Sequence, residues 1–547
     1  MSNYLTPDVY TEEVSVLPPS VAGVSTAIPA FIGYTEKASK SRTDLSNTAV
    51  RITTFLEYKE IFGGAAPSSF SVALDSDDNI TSVAVTSPKN TMYYALDMYF
   101  KNGGGDCYII SVGSYDDTYE AKNFIDGLNT LSKEDEPTLI VLGDAVNLSS
   151  IDYHNVCQQA LLQCEDLKDR FCIFDIQHAD EDASVFRSGI GSNNLKYGAA
   201  YTPFLQTSLN HEYTDIDVLI SQEVSSSGVT QFSAVHTGIQ ISYDGLDSDT
   251  PKYRINGGAG DKLEFTISTA NLLTISNIPD EGIEASKVLE AWSSFEDKGG
   301  FNITIVNDST LVTQTSGNSG KNLDTSTSNT QSFTLESKRG TTMYSQIVNE
   351  INKMRVILPP SSSVAGAYAT TDRERGVWKA PANISLNAIT GPVRKISAAA
   401  QEKLNVEKEG KSVNAIRSFA GKGTLVWGAR TLAGNDNEWR YVPVRRLFNM
   451  IEESTKNASY FAVFEPNTPA TWLKVKAMIE SFLYGIWQQG GLVGSTEEQA
   501  YFVNVGLGKT MTQQDVLDGK MIVEIGIAAA RPAEFIILRF SHKLQEV

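Results

Sequence analysis

The residues whose types could do chemistry are few, and their spacing argues against most of it. The string GLGKT at Gly506–Thr510 imitates the end of a phosphate-binding loop, where backbone N–H groups cradle phosphate and a lysine reaches its oxygens. That pattern needs a glycine where this chain has Val503, so the nest of N–H groups would lose its first turn. Gly257, Gly258 and Gly260 have no helix pattern after them, and Gly103–Asp106 follows a helix pattern and precedes a strand, the reverse of a dinucleotide loop. The histidines, His154, His178, His211, His236 and His542, show neither HxH nor HxxxH spacing that would converge on a metal. There is no GxSxG elbow. Cys157 and Cys164 lie near His154, but their i, i+7 spacing only aligns two thiols on one helix face. Glu12 and Glu13 fall in an extended arm, where nothing apolar would raise a carboxyl pKa for acid catalysis. The expectation is no active site, no cofactor and no metal.

The elements that would have to position such groups point elsewhere. At about 150 residues per domain, 547 residues suggest three or four folding units. A hydrophobic fraction of 41%, with 23 Phe, 22 Tyr and 6 Trp, suits packed cores. Four cysteines, Cys107, Cys157, Cys164 and Cys172, make no CxxC pair and read as buried thiols. A net charge of −20 repels phosphate backbones, so the expected partner is protein and not nucleic acid. The opening MSNYLTPDVYTEEV lacks a basic and an apolar signal region, and no run of 18 apolar residues occurs. Neither Sec export nor membrane insertion of this chain is expected.

Along the chain, Pro7, Pro18 and Pro19 hold residues 1–22 extended as an arm. Over 23–205, apolar runs such as AIPAFIGYT, DCYIISVG, PTLIVLGD and RFCIFDIQ alternate with helix patterns, which predicts an α/β layer structure. Residues 206–343 turn Ser- and Thr-rich and acidic, with short β patterns such as KLEFTIST, and read as an inserted β-rich domain facing solvent. Residues 344–515 resume the core pattern. Within them, Asp372–Arg446 holds 14 Lys and Arg against seven Asp and Glu, a basic band that would seat against an acidic surface or simply face water. Trp472, Val475, Ile479, Phe482 and Ile486 form one helix stripe, which is core or a contact surface. Residues 516–547 read as a C-terminal β arm, two β runs broken by Pro532. The fold class is thus α/β (α+β), multi-domain, with extended arms at both ends and a β-rich insertion.

Several long strings, in order, resemble contractile tail sheath proteins of bacteriophages and phage-tail-like injection particles. They are MSNYLTPDVYTEEV with VAGVSTAIPAFIGYTEKA, then YATTDRERGVWKAPAN, RTLAGNDNEWRYVPVRRLFNMIEES, FEPNTPATWLKV, LYGIWQQGGLVG and TMTQQDVLDGKMIVEIGIAAARPAEFIILRF. The likeness covers about 1–205 and 344–547 and omits the insertion. It implies a structural polymer, assembled in a bacterial cytoplasm into a virion tail or a released particle. Subunits would form sixfold rings stacked helically around an inner tube, and the lattice would shorten to drive the tube through an envelope. Implied partners are further copies of the chain, the inner tube protein, baseplate and terminal cap proteins, and in some particles a second sheath paralogue. The resemblance also implies terminal arms that add strands to neighbouring subunits, and the extended, β-competent ends suit that role. The donor candidates are Val9, Tyr10 and Glu12 in the first arm and Ile536, Leu538 and Phe540 in the last. Inter-subunit electrostatics are assigned to Arg373, Arg375, Arg394 and Lys395, and inner-tube contact to Lys474 and Lys476.

Two rivals come from other classes. An adhesin would bind a surface glycan through the inserted domain, and an α/β enzyme with a degenerate phosphate site would bind nucleotide through Lys509. Neither explains the arms.

Overall fold

The computed structural model describes residues 21–537 apart from 224–229, 247–248, 259, 261, 307–309, 316–319, 327–329 and 409. The chain divides into two compact units, one of residues 1–67, 87–212 and 355–547, the other Ser68–Thr86 with Tyr213–Met354.

The first unit is built on a nine-stranded sheet. Its strands in chain order are β1 Pro29–Thr35, β2 Ala49–Ile52, β3 Cys107–Ser114, β4 Leu139–Val141, β5 Phe171–Asp175, β6 Gly198–Thr202, β7 Ile384–Ser385, β8 Val413–Phe419 and β9 Gly423–Val426. The spatial order is β7-β9-β8-β6-β5-β4-β1-β3-β2. Neighbours from β8 to β3 run parallel, while β2, β9 and β7 add antiparallel edges. The sequence dictates this arrangement: β1, β4 and β5 are continuous apolar runs, buried on both faces as a parallel sheet requires. One face packs Ile32, Ile110 and Ile140 against α2 Ala121–Leu131 and α3 Ser150–Leu167. The other packs Phe31, Ile109 and Val141 against α1 Met92–Lys101 and α4 Ser361–Arg375. All four cysteines are buried.

A further part of this unit holds α5 Val442–Ala458, α6 Pro469–Gln488 and a two-stranded ladder, β10 Tyr501–Val505 with β11 Val523–Ile527. Leu447 and Ile451 of α5, Val475, Ile479 and Leu483 of α6, and Tyr501 and Val503 of β10 form its core. The stripe expected on α6 is therefore largely core. Val475, Ile479 and Ile486 are buried, but Trp472 and Phe482 only partly, and Met478 and Leu483 complete the face. β11 also lies in the span 516–547 read from sequence as an arm. In the structure it is paired into the body, and the extended, unpaired stretch begins only after Ala530.

In the second unit, a four-stranded sheet joins Thr330–Thr334, Val218–Glu223, Ser69–Leu74 and Ile80–Thr86 in that order, with Ile347 and Ile351 of a helix packed on it. Two more four-stranded sheets enclose Ile241, Tyr253, Ile275 and Trp292. The hairpin Ser69–Thr86 departs from the sequence reading, which left it inside 23–205. Its residues SFSVAL alternate exposed and buried, and the buried Phe70, Val72 and Leu74 meet Val218 and Ile220. That period of two belongs to a half-buried strand of a mixed sheet, parallel to Val218–Glu223 and antiparallel to Ile80–Thr86, unlike the unbroken runs of the doubly covered sheet.

Candidate functional site

Open α/β sheets bind ligands beyond the carboxyl ends of their strands, where the strand order reverses. Here that point lies between β1 and β4, with β3 on the other side of β1, and it is filled. Asp144, just after β4, is wholly buried, and its Oδ1 accepts from the N–H and hydroxyl of Thr91 at 2.8 and 2.7 Å, the residue before α1. A carboxylate of the chain thus occupies the helix N-terminus where an anion would bind. A Cβ on Gly33 would meet Asp144 Oδ2 at 2.8 Å, and the remaining cavity is about 10 Å³, room for one water at most. Asp175 ends β5 in the same way, accepting from Ser361 N–H at 2.7 Å at the start of α4. Burial pushes these carboxyls up to about 6 for Asp144 and about 7 for Asp175, against the hydrogen bonds from Thr91 and Ser361 that favour ionisation.

GLGKT proves to be the turn leaving β10. The Thr510 hydroxyl, which a phosphate loop would aim at a metal, donates to Ile522 O at 2.6 Å and accepts from Gly506 N–H at 3.2 Å. Among the described residues no group of three or more His, Cys, Asp or Glu is placed to hold a metal ion, and no helix is long and apolar enough to cross a membrane.

Open backbone is found instead at β10 and β11. Among the described residues these strands form a ladder only with each other, in register Tyr501↔Ile527 to Val505↔Val523. An isolated two-stranded ladder is marginal in water, and here Tyr501 and Val503 anchor one face on α6. Among the described residues nothing pairs with the outer edges, and Phe502 and Ile522 are exposed beside them. Sequence reasoning missed this edge because an edge is defined by what does not pair with it.

Of the strand-donor candidates, Val9, Tyr10, Glu12, Leu538 and Phe540 lie outside the described residues. Ile536 belongs to no strand and is 81% exposed, between Phe535 and Ile537 at 70% and 77%. Three large apolar side chains in succession, with no strand partner among the described residues, have the composition of a β-strand.

The four charges assigned to subunit contacts do not act alike. Arg375 and Lys395 are exposed. Arg373 donates to Gly103 O at 3.1 Å, and Arg394 binds Glu181 and donates to Thr202 Oγ1 at 3.2 Å. Much of the basic band is internal: Arg430, Arg445 and Arg446 are buried, and Arg445 donates to Glu452 at 2.8 Å with its guanidinium 4.3 Å from the Trp439 ring centroid. Lys474 is exposed on α6, whereas Lys476 pairs with Glu480 at 3.4 Å. Just before α6, Phe464 is fully exposed in the left-handed region, φ 67°, which a bulky side chain seldom adopts. Tyr460, Val463 and Leu473, likewise exposed, surround it in sequence.

Comparison with known proteins follows this geometry. Residues 434–543 match the family described as the phage tail sheath C-terminal domain. A tail sheath protein of Vibrio phage KVP40 is 26% identical over 184 residues, 34% of this chain and 26% of that protein. The tail sheath protein of Enterobacteria phage T4 is 23% identical over 193 residues, 35% of this chain and 28% of the relative. The matched stretch thus spans about a quarter of those curated relatives. Solved structures are matched along the whole chain. The helical sheath of the anti-feeding prophage in its contracted state is 26% identical with a TM-score of 0.57, covering 99% of this chain and 100% of that one. The sheath complex of an extracellular contractile injection system, PVC, also contracted, is 25% identical with a TM-score of 0.55, covering 99% of each. The resemblance to contractile tail sheath proteins read from the ordered strings is borne out.

Proposed function

We propose that this chain is a structural subunit of a contractile tail sheath, which stacks as sixfold rings around an inner tube and shortens to drive that tube through a target envelope. The likeness to contracted sheaths over 99% of the chain is the observation that carries it. The geometry agrees in two respects. The ligand crevice of the main sheet is filled by Asp144, and in the GLGKT turn, where the enzyme reading puts its phosphate, the Thr510 hydroxyl is engaged with Ile522 O and Gly506 N–H. The open edges of β10–β11 and the apolar Phe535–Ile537 supply an acceptor and a donor for strand exchange between copies.

In this reading a neighbour's arm pairs with an outer edge of β10–β11. Main-chain hydrogen bonds hold the subunits together while the linking arm lets them rotate, so rings tilt and widen without separating. Contraction without fuel requires better contacts in the contracted lattice, and Arg375 and Lys395, both exposed and in no ion pair among the described residues, are the assigned cations placed to make them across subunits. The inner tube would meet the start of α6, with Lys474 beside the exposed Phe464 as an aromatic anchor. The baseplate and cap would engage the same arms and edges at the two ends of the polymer.

Negative-stain microscopy of the purified chain, alone and co-expressed with its tube protein, tests this. Hollow tubes or stacked rings are expected. Monomers in both samples would overturn it. Deleting 230–326, the two sheets around Trp292, while keeping Val218–Glu223 and Thr330–Thr334 as a hairpin, should leave polymers intact; loss of polymers would make that region part of the lattice.

A further inference from the structure

Both described ends of the first unit are held by a buried arginine. At the C-terminal end, Ala528 and Ala530 still make backbone hydrogen bonds to Ala500 and Gly491. Four residues on, Glu534 receives a two-pronged grip from Arg430, Nε to Oε1 at 2.9 Å and Nη2 to Oε2 at 2.6 Å, with Asn405 Nδ2 at 2.9 Å and the Tyr441 hydroxyl at 3.3 Å. The Arg430 side chain is 6% exposed, and its Nη1 donates to Asn405 O at 3.1 Å. Burial opposes ionisation of Glu534, but the hydrogen bonds from Arg430 and Asn405 outweigh it and hold the carboxyl below its ordinary range. Immediately beyond, Phe535–Ile537 are exposed, so the ion pair and not apolar packing fixes the point of departure.

The N-terminal end repeats the device. Arg446 donates from Nη1 and Nη2 to Asp372 at 3.0 and 2.5 Å, and Nη2 also donates to Thr26 O at 2.8 Å. The Thr26 hydroxyl closes the triangle, donating to Asp372 Oδ2 at 2.6 Å. Both charged side chains are almost fully buried, at 3% and 6% exposed. Val24 N–H adds a bond to Ser454 Oγ at 3.0 Å on α5. Arg430 pairs in an isolated bridge with Tyr441, the residue before α5, and Arg446 lies within that helix, so both ends are tied to the beginning of α5.

We infer that Arg430 and Arg446 are positioning residues for the arms, fixing where each leaves the body so that tension on either arm passes to α5 instead of peeling the chain away. A planar guanidinium bound in two places resists sliding, because any displacement lengthens both bonds and leaves a buried charge without its partner. Apolar packing would creep along a groove under the same pull. The inference rests on the sheath reading, since only in an assembly are the arms pulled.

Glu534→Gln tests it by removing one charge at constant size. In the purified, unassembled full-length chain, amide exchange at Ala528 and Ala530, whose N–H groups bond Ala500 O and Gly491 O, should quicken by about tenfold, as expected for losing a charge-assisted hydrogen-bond pair. Glu534→Asp should recover part of the protection. Thr26→Val, which removes only a hydroxyl, should loosen 21–28 to a smaller extent. In polymers, the parent chain should contract into whole tubes and Glu534→Gln into short fragments. Unchanged exchange would overturn the inference, and so would faster exchange with tubes that still contract whole. If the parent chain formed no polymer, the sheath reading would fail on that result alone, while the exchange data would still decide whether Arg430 holds the end.

Discussion

The nine-stranded sheet and the β10–β11 ladder spend their backbone groups in opposite ways. In the large sheet both faces are covered, and the one crevice where ligands usually enter is closed by the chain's own Asp144. In the ladder, among the described residues, two strands share one set of hydrogen bonds and leave both outer edges free. The first arrangement makes a rigid body with little to offer a small molecule. The second can be completed only by another strand, so association is to be sought at edges and ends and not in the crevice.

The sharpest way to break this contrast is to remove the donor. Ending the chain after Glu534 deletes Phe535–Val547 but leaves every described strand pairing and the Arg430 contact in place. Assembly should fall from complete to none by sedimentation, while the melting temperature of the monomer stays within about 2 °C, since exposed residues contribute little to stability. Polymers from the truncated chain would show that the ladder needs no arm.

The second prediction concerns the sealed sheet. Asp175 titrates at about 7 in the folded chain, against 3.8 as its ordinary value, because burial penalises the charged form. The folded state therefore holds a proton that the unfolded chain has lost, so this group's contribution to stability is full below pH 4 and is lost as pH rises through 7. Between pH 5 and pH 8 the loss through Asp175 is about 3 kcal/mol. Asp175→Asn should remove that share of the pH dependence, seen as a smaller shift of the guanidinium midpoint between the two pH values. An equal shift in both proteins would mean that the carboxyl ionises at no cost. Asp144, raised to about 6 by burial, contributes in the same direction over a lower range.

A third, smaller effect is expected at Phe464. Exchanging it for Gly relieves the left-handed backbone and should raise monomer stability by about 1 kcal/mol in denaturant melts. The same change should weaken retention of the inner tube in co-purification. Unaltered retention would separate Phe464 from the tube surface.

What the residues disclosed follows from the range of the interactions. Continuous apolar runs such as PAFIGYT and FCIFD specify a parallel sheet locally, because burial on both faces needs no polar alternation. The hairpin SFSVAL–ITSVAVT was not singled out within 23–205, and its place in the second unit was not legible, since its apolar face is claimed by Val218 and Ile220, far along the chain. The basic band could be counted but not sorted. Only tertiary contacts reveal that Arg430 and Arg446 are buried against Glu534 and Asp372, while Arg375 and Lys395 face water. Of the candidate contact residues, Ile536 and Lys474 stand exposed as a contact requires, and Lys476 and Arg394 are engaged within their own chain. Phe464 left no trace in the sequence, because a positive φ on phenylalanine is imposed by its surroundings.

The smallest effect expected is none at all, at Lys509. This lysine is exposed on the turn after β10, where Gly508 adopts φ 76° and the Thr510 hydroxyl is already engaged with Ile522 O and Gly506 N–H. A phosphate loop would instead follow a strand of the main parallel sheet and present free N–H groups to the anion. Lys509→Ala should therefore leave polymer yield, melting temperature and the response to added nucleotide unchanged. A nucleotide-dependent rise in melting temperature that disappears in Lys509→Ala would move a ligand site onto the ladder and erase the contrast between the two sheets.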